Sequence, residues 1–188
     1  MASAKAANAA DLENTLYLEL KDGRVVIQLL PEVAPKHVAR IKELARQGFY
    51  DGIIFHRVID GFMAQTGDPT GTGMSGSGKK IKAEFNKEHH FRGTVSMARN
   101  GYDINSGDSQ FFIVTRDSTF LDGQYSLWGK VTSGMQYVDK IAQGEPPANP
   151  DKIISLKVAA DVEKASKASN KAPKTAAKAA GTKVASKK

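Results

Sequence analysis

The residues that could do chemistry are few. The stretch FHRVIDGFMAQTGD, residues 55–68, sets one arginine, Arg57, and one glutamine, Gln65, among exposed-looking Phe and Met side chains. Two later stretches, SMARNGYDINSGDSQFFI (96–113) and FLDGQYSLWGKV (120–131), add Phe, Leu and Tyr. None of them pairs a nucleophile with a base. A guanidinium offers donors and a fixed positive charge, and it accepts no proton at working pH. Taken alone, such an Arg is an ordinary surface or ion-paired residue.

A second candidate is GMSGSGKK, residues 73–80, which has the spacing of a phosphate-binding loop: Gly73, four residues, Gly78, Lys79. That pattern needs a Ser or Thr after the Lys to hold magnesium. Lys80 stands there instead and has no acceptor for a metal. The segment IKAEF that follows is too short and mixed for the helix such a loop opens, so a surface loop is expected. The four His are His37, His56, His89 and His90. His37 falls in a helical pattern and reads as a surface residue. His89 and His90 are chain neighbours in a polar loop with no carboxylate spaced to complete a metal site. There is no nucleophile elbow for a Ser-His-Asp hydrolase.

Short strands must position these groups. NTLYLEL alternates, with Leu16, Leu18 and Leu20 on one face, and KDG then turns it into RVVIQLL, a hairpin. PEVAPKHVARIKELARQGFY reads as a helix: Pro35 suits its first turn, Val38, Ile41 and Leu44 recur at helical spacing, and Gly48 can close it. IIFHRVI, GTVSMAR, SQFFIVT, LWGKV and IISLKVA read as further strands, and MQYVDKIAQ as a second short helix ending at Gly144. Many strands and two helices without βαβ alternation imply a closed antiparallel barrel or a sandwich.

The bulk composition fits one domain: 188 residues, 40% apolar and 25% charged. With no Cys, disulfides and Cys-based metal sites or nucleophiles are excluded. No apolar run reaches membrane-spanning length, and the first residues carry no apolar signal-peptide core; the cytoplasm is expected. The net charge of +7 is unevenly placed, because residues 159–188 hold eight Lys against Asp161 and Glu163. Three regions follow: a flexible arm over 1–13, a domain over 14–158, and a Lys/Ala-rich tail over 159–188 expected to be disordered for want of apolar residues. Such a tail could bind nucleic acid through counterion release, although no aromatic residue is interleaved for base stacking.

FHRVIDGFMAQTGD, SQFF and LDG…WGKV, in that order and spacing, resemble the cyclophilin family of peptidyl-prolyl cis–trans isomerases. The resemblance covers about residues 14–158. It implies a mainly β fold, an eight-stranded closed antiparallel barrel capped by two helices. It also implies rotation about Xaa-Pro bonds in proline-containing peptides and in unfolded or folding proteins, with no cofactor, on a monomer. By position in the motifs, Arg57 is the catalytic donor, and Phe62, Met63, Phe112 and Leu121 form the apolar proline pocket. Phe111, by alternation, points away into the core. Gln65 holds the substrate backbone, and the main chain of Arg99 pairs with the peptide as an added strand. His56 and Tyr125 line the rim, while Ala98, Thr72 and Gly73 border a neighbouring groove. Phe120 stands where the best-known eukaryotic members carry Trp, which implies weak binding of the family inhibitor cyclosporin, because Phe lacks the indole N–H. Tyr125 stands where they carry His. Both replacements resemble bacterial members. Residues 100–108 look slightly longer than the eukaryotic loop, and Trp128 reads as core.

Overall fold

The computed structural model describes residues 9–171. Eight strands form one sheet: β1 (Thr15–Leu20), β2 (Gly23–Leu29), β3 (Arg57–Ile59), β4 (Met63–Thr66), β5 (Thr94–Met97), β6 (Phe111–Val114), β7 (Leu127–Ser133) and β8 (Ser155–Val158). Their order is β3-β4-β6-β5-β7-β2-β1-β8, antiparallel throughout. The β1/β2 hairpin falls as its alternation requires, with Leu16, Leu18 and Leu20 buried opposite Ile27, Val25 and Gly23. Seven strands match the apolar runs of the sequence. β4 is the eighth; MAQT is too short and too mixed to show a period of its own.

The sheet curls into a barrel but does not close through a β3–β8 ladder, which corrects the closed barrel. The seam is made by irregular chain: the Phe55 N–H donates to the Asp151 carbonyl at 2.8 Å, the Ile153 N–H to the Ile53 carbonyl at 2.9 Å, and Val58 and Gly144 exchange two bonds of 2.9 Å. Fully formed ladders run elsewhere, with bulges at Val26/Ile27 and Val95/Ser96 that bend the sheet.

Among the described residues four α-helices accompany the sheet: α1 (Ala9–Glu13), α2 (Pro35–Arg46), α3 (Met135–Val138) and α4 (Ala159–Lys171). In α2, Val38, Ile41, Leu44 and Ala45 are buried on the face that packs against β7 and β8. Gly48, at φ 69°, closes it as expected, and the Phe49 N–H returns to the Leu44 carbonyl at 3.0 Å. Its N-terminus differs from expectation. His37 is only 1% exposed, so it is no surface residue. Its Nδ1 lies 2.6 Å from Glu84, and that carboxylate also accepts the Lys36 and His37 N–H groups at 3.1 and 3.0 Å. A carboxylate placed there satisfies orphan donors and meets the positive end of the helix dipole.

The helix expected over MQYVDKIAQ shrinks to the single turn α3. Beyond it the Lys140 and Ile141 N–H groups bond three residues back, to Tyr137 and Val138, at 3.3 and 3.1 Å. The tightening delivers Gly144 to its bridge with Val58. The second helix of substance is α4, whose residues 159–171 belong to the tail expected to be disordered. It begins directly after β8 with Ala159 and Ala160 buried. Arg46 joins it to α2 and α1, with bonds of 2.9 Å to Asp161 and to Glu13. Composition weighed the tail as an isolated chain; tertiary anchoring of its first turn and the helix propensity of Ala and Lys tip the balance. The arm is also helical from Ala9 to Glu13; residues 1–8 and 172–188, with the rest of both expectations, lie outside the described residues.

Buried apolar side chains fall into two groups. The large one fills the barrel, where Phe111 meets the rings of Tyr50 and Trp128 edge-on at 5.5 Å each. The small one, Met63, Phe112, Val114 and Leu121, lies on the other face of β4 and β6, with Ile59, Phe62, Ala98 and Tyr125 against it.

Candidate active site

The small group opens to solvent as a pocket lined by Arg57, Phe62, Met63, Gln65, Ala98, Arg99, Phe112, Leu121 and Tyr125. Nine of the residues expected at the site therefore converge. The β3/β4 hairpin supplies Arg57 and Gln65 directly opposite one another. In the next ladder Gln65 faces Phe112. Period-two geometry puts all three on one face. Leu121 comes from a 3-10 turn, Thr119–Leu121, and Tyr125 follows it, its ring meeting Phe112 edge-on at 5.6 Å. The Phe62, Met63, Phe112 and Leu121 walls are apolar, and Arg57, Gln65, Arg99 and Tyr125 bring polar groups to the lining.

From Arg57 the side chains form a relay. The Arg57 Nε donates to Glu145 Oε1 at 2.6 Å, and its Nη1 stands 3.5 Å from Gln65 Oε1. Gln65 Nε2 donates to Gln110 Oε1 at 3.0 Å. Gln110 Nε2 then donates to the carbonyls of Gly73 and Ser75 at 3.0 and 2.8 Å. The relay fixes the orientation of both glutamine amides. One N–H of Gln65 is used by Gln110, and an amide group has two.

Sequence reasoning missed Gln110 and Glu145. Gln110 was within reach, because the alternation that puts Phe112 in the pocket puts residue 110 on the same face. Glu145 had no signal; it lies 88 positions from Arg57 and sits on a loop.

A second groove adjoins the pocket, lined by Gly73, Met74, Ser75, Ala98, Asn100 and Gln110 among others. Gly73 and Ala98 border it as expected. Thr72 does not: its hydroxyl turns to Thr70 at 2.9 Å and to Asp68 at 3.3 Å. Phe120 is 65% exposed and outside the pocket, its ring 5.5 Å from that of Phe62. His56 is not on the rim. It is buried beneath Gly73, where a side chain on the glycine (φ 80°) would come within 3.3 Å of the imidazole. Arg99 lies past the end of β5 with its guanidinium 4.8 Å from the Tyr125 ring centre and its Nε donating to the Gln124 carbonyl at 3.0 Å. Its side chain is thus occupied.

The glycine-rich loop holds anions that the chain itself supplies. The Ser75 N–H donates to Asp68 at 3.1 Å, and the Ser77 and Gly78 N–H groups donate to Asp108 at 3.1 and 2.8 Å. Burial pushes the Asp68 carboxyl up, but bonds from Thr70, Ser75 and Gly73 outweigh it and hold the pKa at about 2. Carboxylates occupy the amides that a phosphate would need.

Behind the pocket, His90 stacks on Phe112 with ring centres 6.4 Å apart. It lies in the loop expected but is buried there, and burial pushes its pKa down. Asp122 reaches both neighbouring histidines, at 2.6 Å from His89 Nδ1 and 2.9 Å from His90 Nδ1, while His90 Nε2 meets Ser96 Oγ at 3.0 Å. Among the described residues no group of three or more His, Asp or Glu could hold a metal ion. No helix among them is long and apolar enough to cross a membrane.

Residues 15–158 match the family model described as cyclophilin type peptidyl-prolyl cis-trans isomerase/CLD. A probable peptidyl-prolyl cis-trans isomerase of Brucella suis is 51% identical over 84% of this chain and 88% of its own length. Peptidyl-prolyl cis-trans isomerase B of Bacillus subtilis is 46% identical over 70% of this chain and 92% of its own. Among solved structures, the cyclophilin AquaCyp293 of Hirschia baltica superposes with a TM-score of 0.73 at 33% identity, covering 79% of this chain and 74% of that one. A Cryptosporidium parvum cyclophilin type isomerase, crystallised in the presence of the dipeptide Ala-Pro, gives 0.71 at 28% identity, covering 77% of this chain and 98% of that one.

Proposed function

This chain belongs to the cyclophilin-type peptidyl-prolyl cis–trans isomerases, and on that premise we propose that Arg57 is the residue that catalyses rotation. The activity is the isomerisation of Xaa-Pro bonds. Amide resonance sets its barrier at roughly 18–20 kcal/mol. Xaa-Pro bonds populate both isomers but exchange slowly, over tens to hundreds of seconds. No bond breaks. The enzyme has to bind the twisted amide more tightly than either planar form.

The observation that carries the reading is the convergence of one guanidinium with an apolar pocket. Phe62, Met63, Phe112 and Leu121 take the proline ring. As the amide twists, conjugation is lost, the prolyl nitrogen becomes pyramidal and its lone pair can accept a hydrogen bond. The Nη groups of Arg57 donate to that lone pair, an interaction present in the twisted state and absent in the planar ones. A donor already oriented contributes without reorganisation. The free N–H of Gln65 and the main chain of Arg99 hold the peptide on either side, and the groove beside Gly73 and Ala98 receives the residues before proline.

Substrates on this reading are proline-containing peptides and folding proteins. The exposed Phe120 offers no indole N–H, which supports weak cyclosporin binding. A chain without Cys fits work in the reducing cytoplasm, and the family resemblance favours a monomer. The test is refolding of a protein whose slow phase is limited by proline isomerisation. The wild type is expected to accelerate that phase catalytically, and Arg57→Ala to leave it near its spontaneous rate. Equal acceleration by both would remove Arg57 from the mechanism.

A further inference from the structure

Arg57 is held from outside the pocket. Its guanidinium makes two contacts on different edges of the fork. Nη1 faces Gln65, which lines the pocket. Nε faces Glu145, which does not line it. The carboxylate therefore takes the edge turned away from the pocket and leaves the Nη edge on the pocket side, where Nη1 stands 3.5 Å from Gln65 Oε1.

The backbone builds this placement. Glu145 follows Gly144, and Gly144 exchanges two hydrogen bonds of 2.9 Å with Val58, the residue after Arg57. The loop is thus set in register with the strand that carries the guanidinium. Gly144 sits at φ 143°, and a side chain on it would come within 2.6 Å of the Pro147 Cα, so glycine is needed to deliver the next residue. The far end of the loop is tied as well. Asp151 accepts from the Ala142 N–H at 2.8 Å and pairs with Lys21 at 2.6 Å, and its carbonyl accepts from the Phe55 N–H at 2.8 Å.

We propose that Glu145 is the positioning residue of Arg57: the ion pair holds the guanidinium so that its Nη edge faces the twisted amide. The proposal rests on Arg57 being the catalytic donor. An unheld Arg samples many rotamers, and only some of them aim a donor into the pocket. A carboxylate at Nε narrows that set before substrate arrives, which is where a preorganised donor gains its advantage. Both side chains are half-exposed, 41% for Arg57 and 55% for Glu145, so the effect is modest.

The experiment uses the full chain as wild type, Glu145→Ala, Arg57→Ala and the double variant. Exchange of an Ala-Pro peptide is followed by NMR, with peptide affinity and the arginine Nε–Hε resonances recorded alongside. Glu145→Ala is expected to slow exchange by about fivefold, the upper range for an exposed ion pair, with peptide affinity unchanged. The Arg57 Nε–Hε signal, distinct in the wild type, is expected to shift and broaden. In the Arg57→Ala background, removing Glu145 is expected to change nothing further. The proposal is overturned if Glu145→Ala exchanges at or above the wild-type rate, or if it slows exchange equally with and without Arg57. If Arg57→Ala itself is fully active, it is the catalytic reading that fails, a result the single variant shows on its own.

Discussion

Phe111 and Phe112 are adjacent on one four-residue strand and serve different halves of the molecule. Phe111 is sealed in the barrel between Tyr50 and Trp128. Phe112 is 5% exposed and backs the pocket with Met63 and Leu121. The chemistry of the two side chains is identical; the pleat alone separates them. One face of β6 therefore packs the barrel and the other lines the pocket, and a substitution on one face can leave the other nearly untouched.

The sharpest test of that division is Phe111→Ala. Truncating a fully buried aromatic typically costs about 3–5 kcal/mol, and urea unfolding should show a loss of this size. Exchange catalysed per folded molecule should stay within a small factor of wild type. Phe112→Ala should reverse the pattern. Its cavity joins the open pocket, so the loss of stability should be clearly smaller. The lost contact with the proline ring, about 1.5 kcal/mol or more, should lower kcat/KM at least about tenfold. Equal stability losses for the two variants would break the division.

Acid should separate the same regions. His37, His56 and His90 are buried, and burial pushes each below its ordinary value of 6.5, with Glu84, Asp68 and Asp122 only partly offsetting it. The unfolded chain then takes up protons near pH 6.5 that the folded chain refuses. Stability is complete above that value and falls as pH drops through it. A second fall should come below pH 3.8, where the unfolded aspartates protonate while Asp68 and Asp122 stay charged down to about 2. No step of the rotation moves a proton, so exchange per folded molecule should remain flat across the first window. Urea midpoints and peptide exchange at a series of pH values would show both. The smallest effect belongs to the exposed Phe120: Phe120→Ala should change stability by no more than about 0.5 kcal/mol.

Much of this was legible in the chain. Leu16, Leu18 and Leu20 declare their strand by alternation, and Val38, Ile41 and Leu44 declare α2 by helical spacing. Nine of the residues expected from the motifs line one pocket, and Phe111 points into the core as the pleat requires. What stayed hidden depends on partners remote in sequence. His37 looks like a surface residue until Glu84 arrives from 47 positions away. His56 lies adjacent to Arg57 yet turns under Gly73. β4 has too few residues to show a period and is defined by its neighbours β3 and β6. The start of α4 is ordered by ion pairs through Arg46 that composition does not record.

The central claim is that Arg57 lowers the barrier in a pocket that binds proline without it. Two-dimensional NMR exchange spectroscopy on an Ala-Pro peptide, with wild type and Arg57→Ala at equal concentration, tests it most directly. The expected result is peptide binding by both proteins, with exchange slower in the variant by about a hundredfold or more, the scale of losing one preorganised donor. If both bind the peptide and accelerate exchange alike, the guanidinium is not the catalyst.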